Sequence, residues 1–205
     1  WKTSRNSLQR TRRKLLYQGF AQKGDGIMPK SVLISIRPKW CRLIAKGEKT
    51  IEIRKTCPTI ETPFKCYIYC TKEHSEFDCL YLHDINHGTW YEPIFGNGKV
   101  IGEFTCNQIR KLKANNGIQT YFNGIEGTCL RDAEIIKYAS GKMIYYWHIS
   151  DLLIYDYPRE LSCFCKPCCF EESERCDNCK ELQKIFNCRL KRPPQSWCYV
   201  EELQK

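Results

Sequence analysis

The stretch Gly47-Glu48-Lys49-Thr50-Ile51-Glu52-Ile53-Arg54 leads from a helix into a strand, and its reading decides the fold. Just upstream, Val32-Leu33-Ile34-Ser35-Ile36 reads as a buried strand. Pro38 then opens a helix at the first position, where its missing N–H leaves no bond unmade. Trp40, Leu43 and Ile44 fall on one helical face, and Gly47 supplies the stop. From Lys49 to Lys55 the chain alternates, with Ile51 and Ile53 to one side and Thr50, Glu52 and Arg54 to the outer side. Lys49 stands at the turn, so a cation, an acid and a second cation converge near a helix end. Such a set can hold a phosphate or carboxylate through its cations while Glu52 accepts from a base amino group. Burial that shifted Lys49 or Glu52 would also suit acid–base chemistry. The plain alternative is an exposed strand face carrying a Glu–Arg pair of little energetic weight.

Downstream, Phe64 to Thr71 and Lys99 to Cys106 read as two further strands. Residues 72–97 between them form a long loop with His74, His83, His87, Trp90 and Gly96-Asn97-Gly98. A second helix runs from Leu130 to Ala139 and ends at Gly141. Ile144 to Tyr155 is a long aromatic strand, or two strands joined at Ser150-Asp151. Long unpaired edges are a liability in so short a chain, which favours an α+β architecture built as a small closed or nearly closed β-barrel, with helices over its openings.

The length of 205 residues suits one domain with an appendage. Hydrophobic residues make up 42% and charged residues 27%, a globular balance that excludes a largely disordered chain. No apolar run approaches the roughly 18–20 residues of a membrane helix. The formal charge of +10 is unevenly spread: residues 1–27 carry seven basic residues and one acid, leaving +4 on the remainder. The body therefore suits local contact with phosphates, not a saturating electrostatic footprint. Residues 1–27 are expected to be translated upstream sequence, with the native start at Met28, because Lys23-Gly24-Asp25 can be encoded by a purine-rich ribosome-binding sequence. A real basic helix, with Leu8, Leu15 and Leu16 as a weak apolar stripe, is the alternative.

Fifteen cysteines in a chain without a secretion signal point to a cytoplasmic, reducing setting, where clustered thiols bind metal more often than they form disulfides. Cys41, Cys57, Cys66, Cys70, Cys79, Cys106 and Cys129 are scattered, and most are expected to be small buried hydrophobes. The rest crowd into residues 163–198, where Cys165-x-x-Cys168 and Cys176-x-x-Cys179 each place two thiolates to bite one tetrahedral zinc. Two ligand sets compete: both pairs together, or Cys168 (or Cys169) with Cys176, Cys179 and Cys188. Either set gives a small structural zinc knob in a segment with too few apolar residues to fold alone. An iron–sulfur cluster and a metal-free tail are weaker readings of the same thiols.

The motif Gly47-x-Lys49-x-x-Glu52-x-Arg54, after a strand and a short helix, resembles that of the ASCH domain family in the PUA-like superfamily. The resemblance covers Ser31 to Tyr155, including Lys99-Val-Ile-Gly-Glu-Phe and the late Tyr146-Trp-His-Ile-Ser strand. Arg192-Pro-Pro-Gln-Ser-Trp-Cys-Tyr-Val resembles the C-terminal extension of ASCH proteins from phages and Gram-positive bacteria, in which one cysteine, a CxxC pair and a later cysteine precede it. This favours Cys168, Cys176, Cys179 and Cys188 as the zinc ligands. With the basic leader over 1–27 set aside, the chain divides into a PUA-like barrel over 28–159 and a Cys-rich zinc tail over 160–205.

The resemblance further implies a cleft beside the first helix that binds RNA or a modified nucleotide through Lys49, Glu52 and Arg54, with Arg37 and Lys39 extending a basic rim. One branch of the family hydrolyses N4-acetylcytidine with a lysine, a threonine three residues later and a glutamate before the second helix. Lys49 matches the lysine and Glu126 falls near the acid, but Glu52 stands in the threonine's place, so that nucleophile is absent. A hydrolase of a modified nucleoside, with Lys49 and Glu52 as an acid–base pair and Glu126 assisting, is the alternative, together with ribonuclease activity. A protein-interaction adaptor acting through the cysteine-rich tail is a third. Trp90 is the better base-stacking candidate and Trp40 reads as core. The loop histidines fit a solvated loop better than a second metal site.

Overall fold

The computed structural model describes residues 31–72, 96–113, 126–167 and 189–203. Six strands and two helices occur in the order β1 (Ser31–Ile36), α1 (Pro38–Ala45), β2 (Ile51–Arg54), β3 (Phe64–Cys70), β4 (Val100–Lys113), α2 (Asp132–Ala139), β5 (Met143–Arg159) and β6 (Trp197–Val200). The strands form one mixed sheet in the order β2-β5-β4-β3-β1-β6. β1 runs parallel to β3 and antiparallel to β6, and the other neighbours are antiparallel.

The sheet is not the closed barrel the sequence suggests. Among the described strands, β2 and β6 are the two edges, each only four residues long. Short edge strands answer the same aggregation hazard that closure would. Side chains of β6 reach the segment that follows β2. Trp197 Nε1 donates to Thr56 Oγ1 at 2.9 Å, and the Tyr199 hydroxyl accepts from Thr59 N at 2.7 Å. The Trp197 ring sits 6.0 Å from that of Trp147, which is fully buried.

Strand alternation accounts for two cores, one on each face. Val32, Ile34 and Ile36 of β1 join Phe64, Cys66, Ile68 and Cys70 of β3 in the first. Leu33, Tyr67 and Tyr69 point the other way and pack with Phe164, Leu190 and Val200. The second core is therefore completed by residues beyond 159, which cover a face that a bare barrel would leave to solvent. A third cluster sets Ile51 and Ile53 against Ile135, Ala139 and Ile144.

Other differences have local causes. β4 extends to Lys113, past the expected end at Cys106, because the polar stretch Asn107–Lys113 still pairs with β5 through Ile109↔Trp147 and Leu112↔Ile144. β5 is one strand of 17 residues, and Asp151, where a break is expected, adopts φ +47° amid register shifts against β4. In α1 the buried positions are Pro38, Cys41 and Ile44, which turns Trp40 from the core towards its edge. α2 begins at Asp132, two residues later than expected, where Glu134 Oε2 accepts the Arg131 N–H at 2.9 Å. It ends on Ser140 at φ +50° and Gly141 at φ +72°.

Of the scattered cysteines, Cys41, Cys66, Cys70 and Cys106 are buried as expected, Cys57 is half-buried and Cys129 is exposed. Burial pushes the Cys106 thiol up to about 12, so it stays protonated and unreactive at neutral pH. Among the described residues, no helix is long and apolar enough to cross a membrane.

Gly102 gives a direct test of the β4–β5 contact. A Cβ there would lie 2.3 Å from the Leu153 carbonyl oxygen, which is backbone and cannot swing aside. Gly102→Ala is expected to lower the unfolding free energy by about 1–3 kcal/mol in urea titration, the usual cost of overpacking. Leu153→Ala, at a side chain that is 54% exposed, should change stability by no more than about 0.5 kcal/mol.

Candidate nucleotide-binding cleft

The helix-to-strand turn places the motif. Gly47 takes φ +74°, and Lys49 N donates to Leu43 O at 3.0 Å as the chain leaves α1. The Gly127 carbonyl then accepts from both Thr50 N (2.8 Å) and Ile51 N (2.9 Å), docking the turn before α2 onto the start of β2. Gly127 needs to be glycine on two counts: its φ is +85°, and a Cβ would meet Thr50 Oγ1 at 2.3 Å.

Lys49 is only 2% exposed. Its Nζ donates to Ile51 O at 2.7 Å and to Thr128 O at 2.7 Å, and lies 3.4 Å from Glu52 Oε2. An ammonium has three donors, and all three are engaged by the protein. The other oxygen of Glu52 meets Arg54 Nη2 at 3.0 Å. That same nitrogen donates to Ser35 O at 2.6 Å, crossing from β2 to β1. Arg54 Nε is buried and has no hydrogen-bond partner among the described residues. The strand face expected to look outward is thus a buried ion-pair chain, Lys49–Glu52–Arg54, with Glu52 6% exposed.

This chain forms the floor of a cleft of about 1280 Å³. One wall carries Trp40 of α1 with Glu134 and Tyr138 of α2, and the other carries Glu160, Leu161, Lys191 and Pro193-Pro194-Gln195. Ser35 fastens the second wall: its Oγ donates to Pro194 O at 2.6 Å and its N–H to Ser196 O at 2.9 Å. Trp40 packs against the first core and also lines the cleft, with Lys49 Nζ 5.3 Å and Lys39 Nζ 4.6 Å from its ring centre.

Among the residues singled out from sequence, Lys49, Glu52, Arg54 and Arg37 come together on the cleft. Lys39 is exposed and stands beside it over Trp40. Glu126 is exposed and does not line the cleft. Cys168, Cys176, Cys179 and Cys188 lie outside the described residues, as do His74, His83, His87, Trp90 and the leader over 1–27. No cluster of metal-ligating side chains occurs among the described residues. Sequence reading misses Tyr138, Glu134, Tyr69, Lys72 and Lys191. Only the placement of α2 next to the motif could draw attention to the first two. Lys55 Nζ lies 5.0 Å from the centre of the Tyr138 ring, and burial raises the Tyr138 phenol, so it stays a neutral donor and stacking face.

The sequence matches no protein-family model and no curated protein. The fold is similar to that of a serine-to-alanine mutant of ZmASCH from Zymomonas mobilis. The TM-score is 0.51 at 17% identity, over 85% of this chain and 90% of that one. ASCH from Zymomonas mobilis itself aligns with a TM-score of 0.48 at 18% identity, over 85% and 90% of the two chains. The chain has an ASCH-domain fold.

Removing the lysine should show how much hangs on it. Lys49→Met leaves two carbonyls without a donor and a buried carboxylate short of one cation. It is expected to cost about 3–5 kcal/mol in denaturant titration, as breaking a buried ion pair does. Lys137→Met, on the exposed face of α2, should stay within about 0.5 kcal/mol of the parent.

Proposed function

We propose that the cleft binds RNA or a modified nucleotide. The observation that carries this reading is the pinned guanidinium of Arg54 on the floor of a cleft whose one wall presents the aromatic side chains of Trp40 and Tyr138. A base can stack on such rings while its edge meets fixed polar groups below. Glu52 is held by Lys49 on one side and Arg54 on the other, so it acts here as the orienting acid of the floor. Lys49 acts through Glu52 and through the two carbonyls it ties, as a positioning residue. The engagement of its three donors favours binding over a hydrolase in which Lys49 would exchange protons with a substrate.

Full-length protein is expected to bind a single-stranded RNA oligonucleotide in fluorescence anisotropy, more weakly as salt rises. Tyr138→Ala, which leaves the core intact, should weaken binding by about 1–3 kcal/mol, the usual contribution of one stacked base. Unchanged affinity in that variant would remove the stacking wall from the reading. Turnover of N4-acetylcytidine, or cleavage of the strand, by folded protein would replace binding with the hydrolase alternative.

We also propose that Cys168, Cys176, Cys179 and Cys188 hold a structural zinc in a cytoplasmic protein. Support comes from their spacing and from the two feet of the segment that carries them. Cys165 and Arg189 form an antiparallel bridge, and Leu190 N donates to Phe164 O at 2.8 Å, so the chain leaves and returns at one place. A bound zinc would supply the cross-link that the polar sequence lacks. Anaerobically purified protein should retain one equivalent of zinc through dialysis, and less than about half an equivalent would refute the site.

A further inference from the structure

The charged residues lining the cleft divide into those that are paired and those that are not. Five are basic (Arg37, Lys49, Arg54, Lys72 and Lys191) and three are acidic (Glu52, Glu134 and Glu160). Every acid has a partner: Glu52 has Lys49 and Arg54, Glu134 has Arg131, and Glu160 meets Lys99 at 3.0 Å. Lys49 and Arg54 are tied to Glu52 and to backbone carbonyls. Arg37, Lys72 and Lys191 remain, exposed and with no ion pair or side-chain hydrogen bond among the described residues.

All three line the cleft, and backbone geometry sets two of them side by side. Thr71 N donates to Ile36 O at 2.8 Å, so Arg37 and Lys72 follow the ends of the parallel strands β1 and β3 side by side. The Lys72 stem lies across Gly98, where a Cβ would meet Lys72 Cε at 2.7 Å. Gly98, at φ +81°, is thus the surface over which this side chain is laid. Lys191 stands between two anchors, Leu190 in the second core and Pro194, whose carbonyl is held by Ser35. Three cations from distant parts of the chain share one concave surface, where their fields add.

Resting on the nucleotide reading above, we propose that Arg37, Lys72 and Lys191 form an anion subsite that takes the phosphate of the bound nucleotide, while the floor and the aromatic wall take its base. Phosphate suits the trio because it accepts from several cations at once, and point-charge lysines with one guanidinium hold it without demanding a fixed orientation. Lys191 follows the Cys-rich segment, so the chain beyond that segment contributes directly to binding.

The test compares full-length parent protein with Lys72→Gln/Lys191→Gln and, as a charge control, Lys142→Gln. The probes are a single-stranded RNA oligonucleotide, cytidine 5′-monophosphate, cytidine and inorganic pyrophosphate. The double variant is expected to bind the oligonucleotide at least about tenfold more weakly at low salt. Its log–log salt slope should be shallower by about 0.7 for each phosphate it no longer neutralises. It should also fail to bind pyrophosphate, bind the monophosphate no better than cytidine, and leave any cytidine affinity unchanged. Lys142→Gln should behave as the parent. Parent-like RNA and pyrophosphate binding by the double variant would overturn the subsite and leave the nucleotide reading standing. Pyrophosphate bound by the parent but not by the variant, with no RNA or nucleotide bound by either, would keep the subsite and overturn the nucleotide reading. Absence of all binding by the parent would overturn both. A difference confined to the oligonucleotide would assign the trio to a strand and not to a free nucleotide.

Discussion

The buried ammonium of Lys49 is the point from which the site is built. Two carbonyls, one from β2 and one from the turn before α2, converge on it at 2.7 Å each, and the Glu52 carboxylate completes the set. Burying a charge is costly unless it is paired and hydrogen-bonded, and here each donor has a fixed acceptor. The arrangement does more than neutralise. It ties Thr128 to β2, which sets α2 and its Tyr138 against the cleft, and it steadies Glu52, which in turn holds Arg54. Through the Arg54 hydrogen bond to Ser35 O the constraint reaches β1, and through Ser35 Oγ it reaches Pro194 on the far wall. One cation thereby links the floor and both walls.

Much of this is legible in the sequence because local pattern and tertiary role coincide. The apolar run at 32–36, Pro38 at the helix start and Gly47 at its end each have a backbone reason that needs no distant partner. Asp151 likewise reads as a discontinuity, and it sits at positive φ inside β5. The charged triplet of the motif is also evident, but its environment is not. Alternation puts Glu52 and Arg54 on the same side without saying whether that side meets water, and here it meets the body of the protein.

What escapes sequence reading depends on partners far away in the chain. β6 is four residues after a polar, proline-containing stretch, and it becomes a strand only because β1 offers a free edge. The extension of β4 over Asn107–Lys113 is held by its register with β5, not by its own apolar content. Lys72 and Lys191 are unremarkable among 33 basic residues until the fold brings them beside Arg37. Trp40 reads as core from its helical face, and a small rotation of the helix, which centres Cys41 instead, gives it a second role in the cleft.

The pairing of β1 with β6 joins Ser31 to Val200 and Ile34 to Trp197, nearly the whole described length apart. During synthesis β1 emerges long before β6, so the edge that β6 covers lacks this partner until Trp197–Val200 leave the ribosome. Contacts of such high sequence separation are slow to form, and a long-exposed apolar strand edge invites pairing with other chains. The order of the chain thus makes the arrival of β6 the event that ends this vulnerable interval. A chain terminated before Trp197 would carry Val32-Leu33-Ile34 as a permanent adhesive edge.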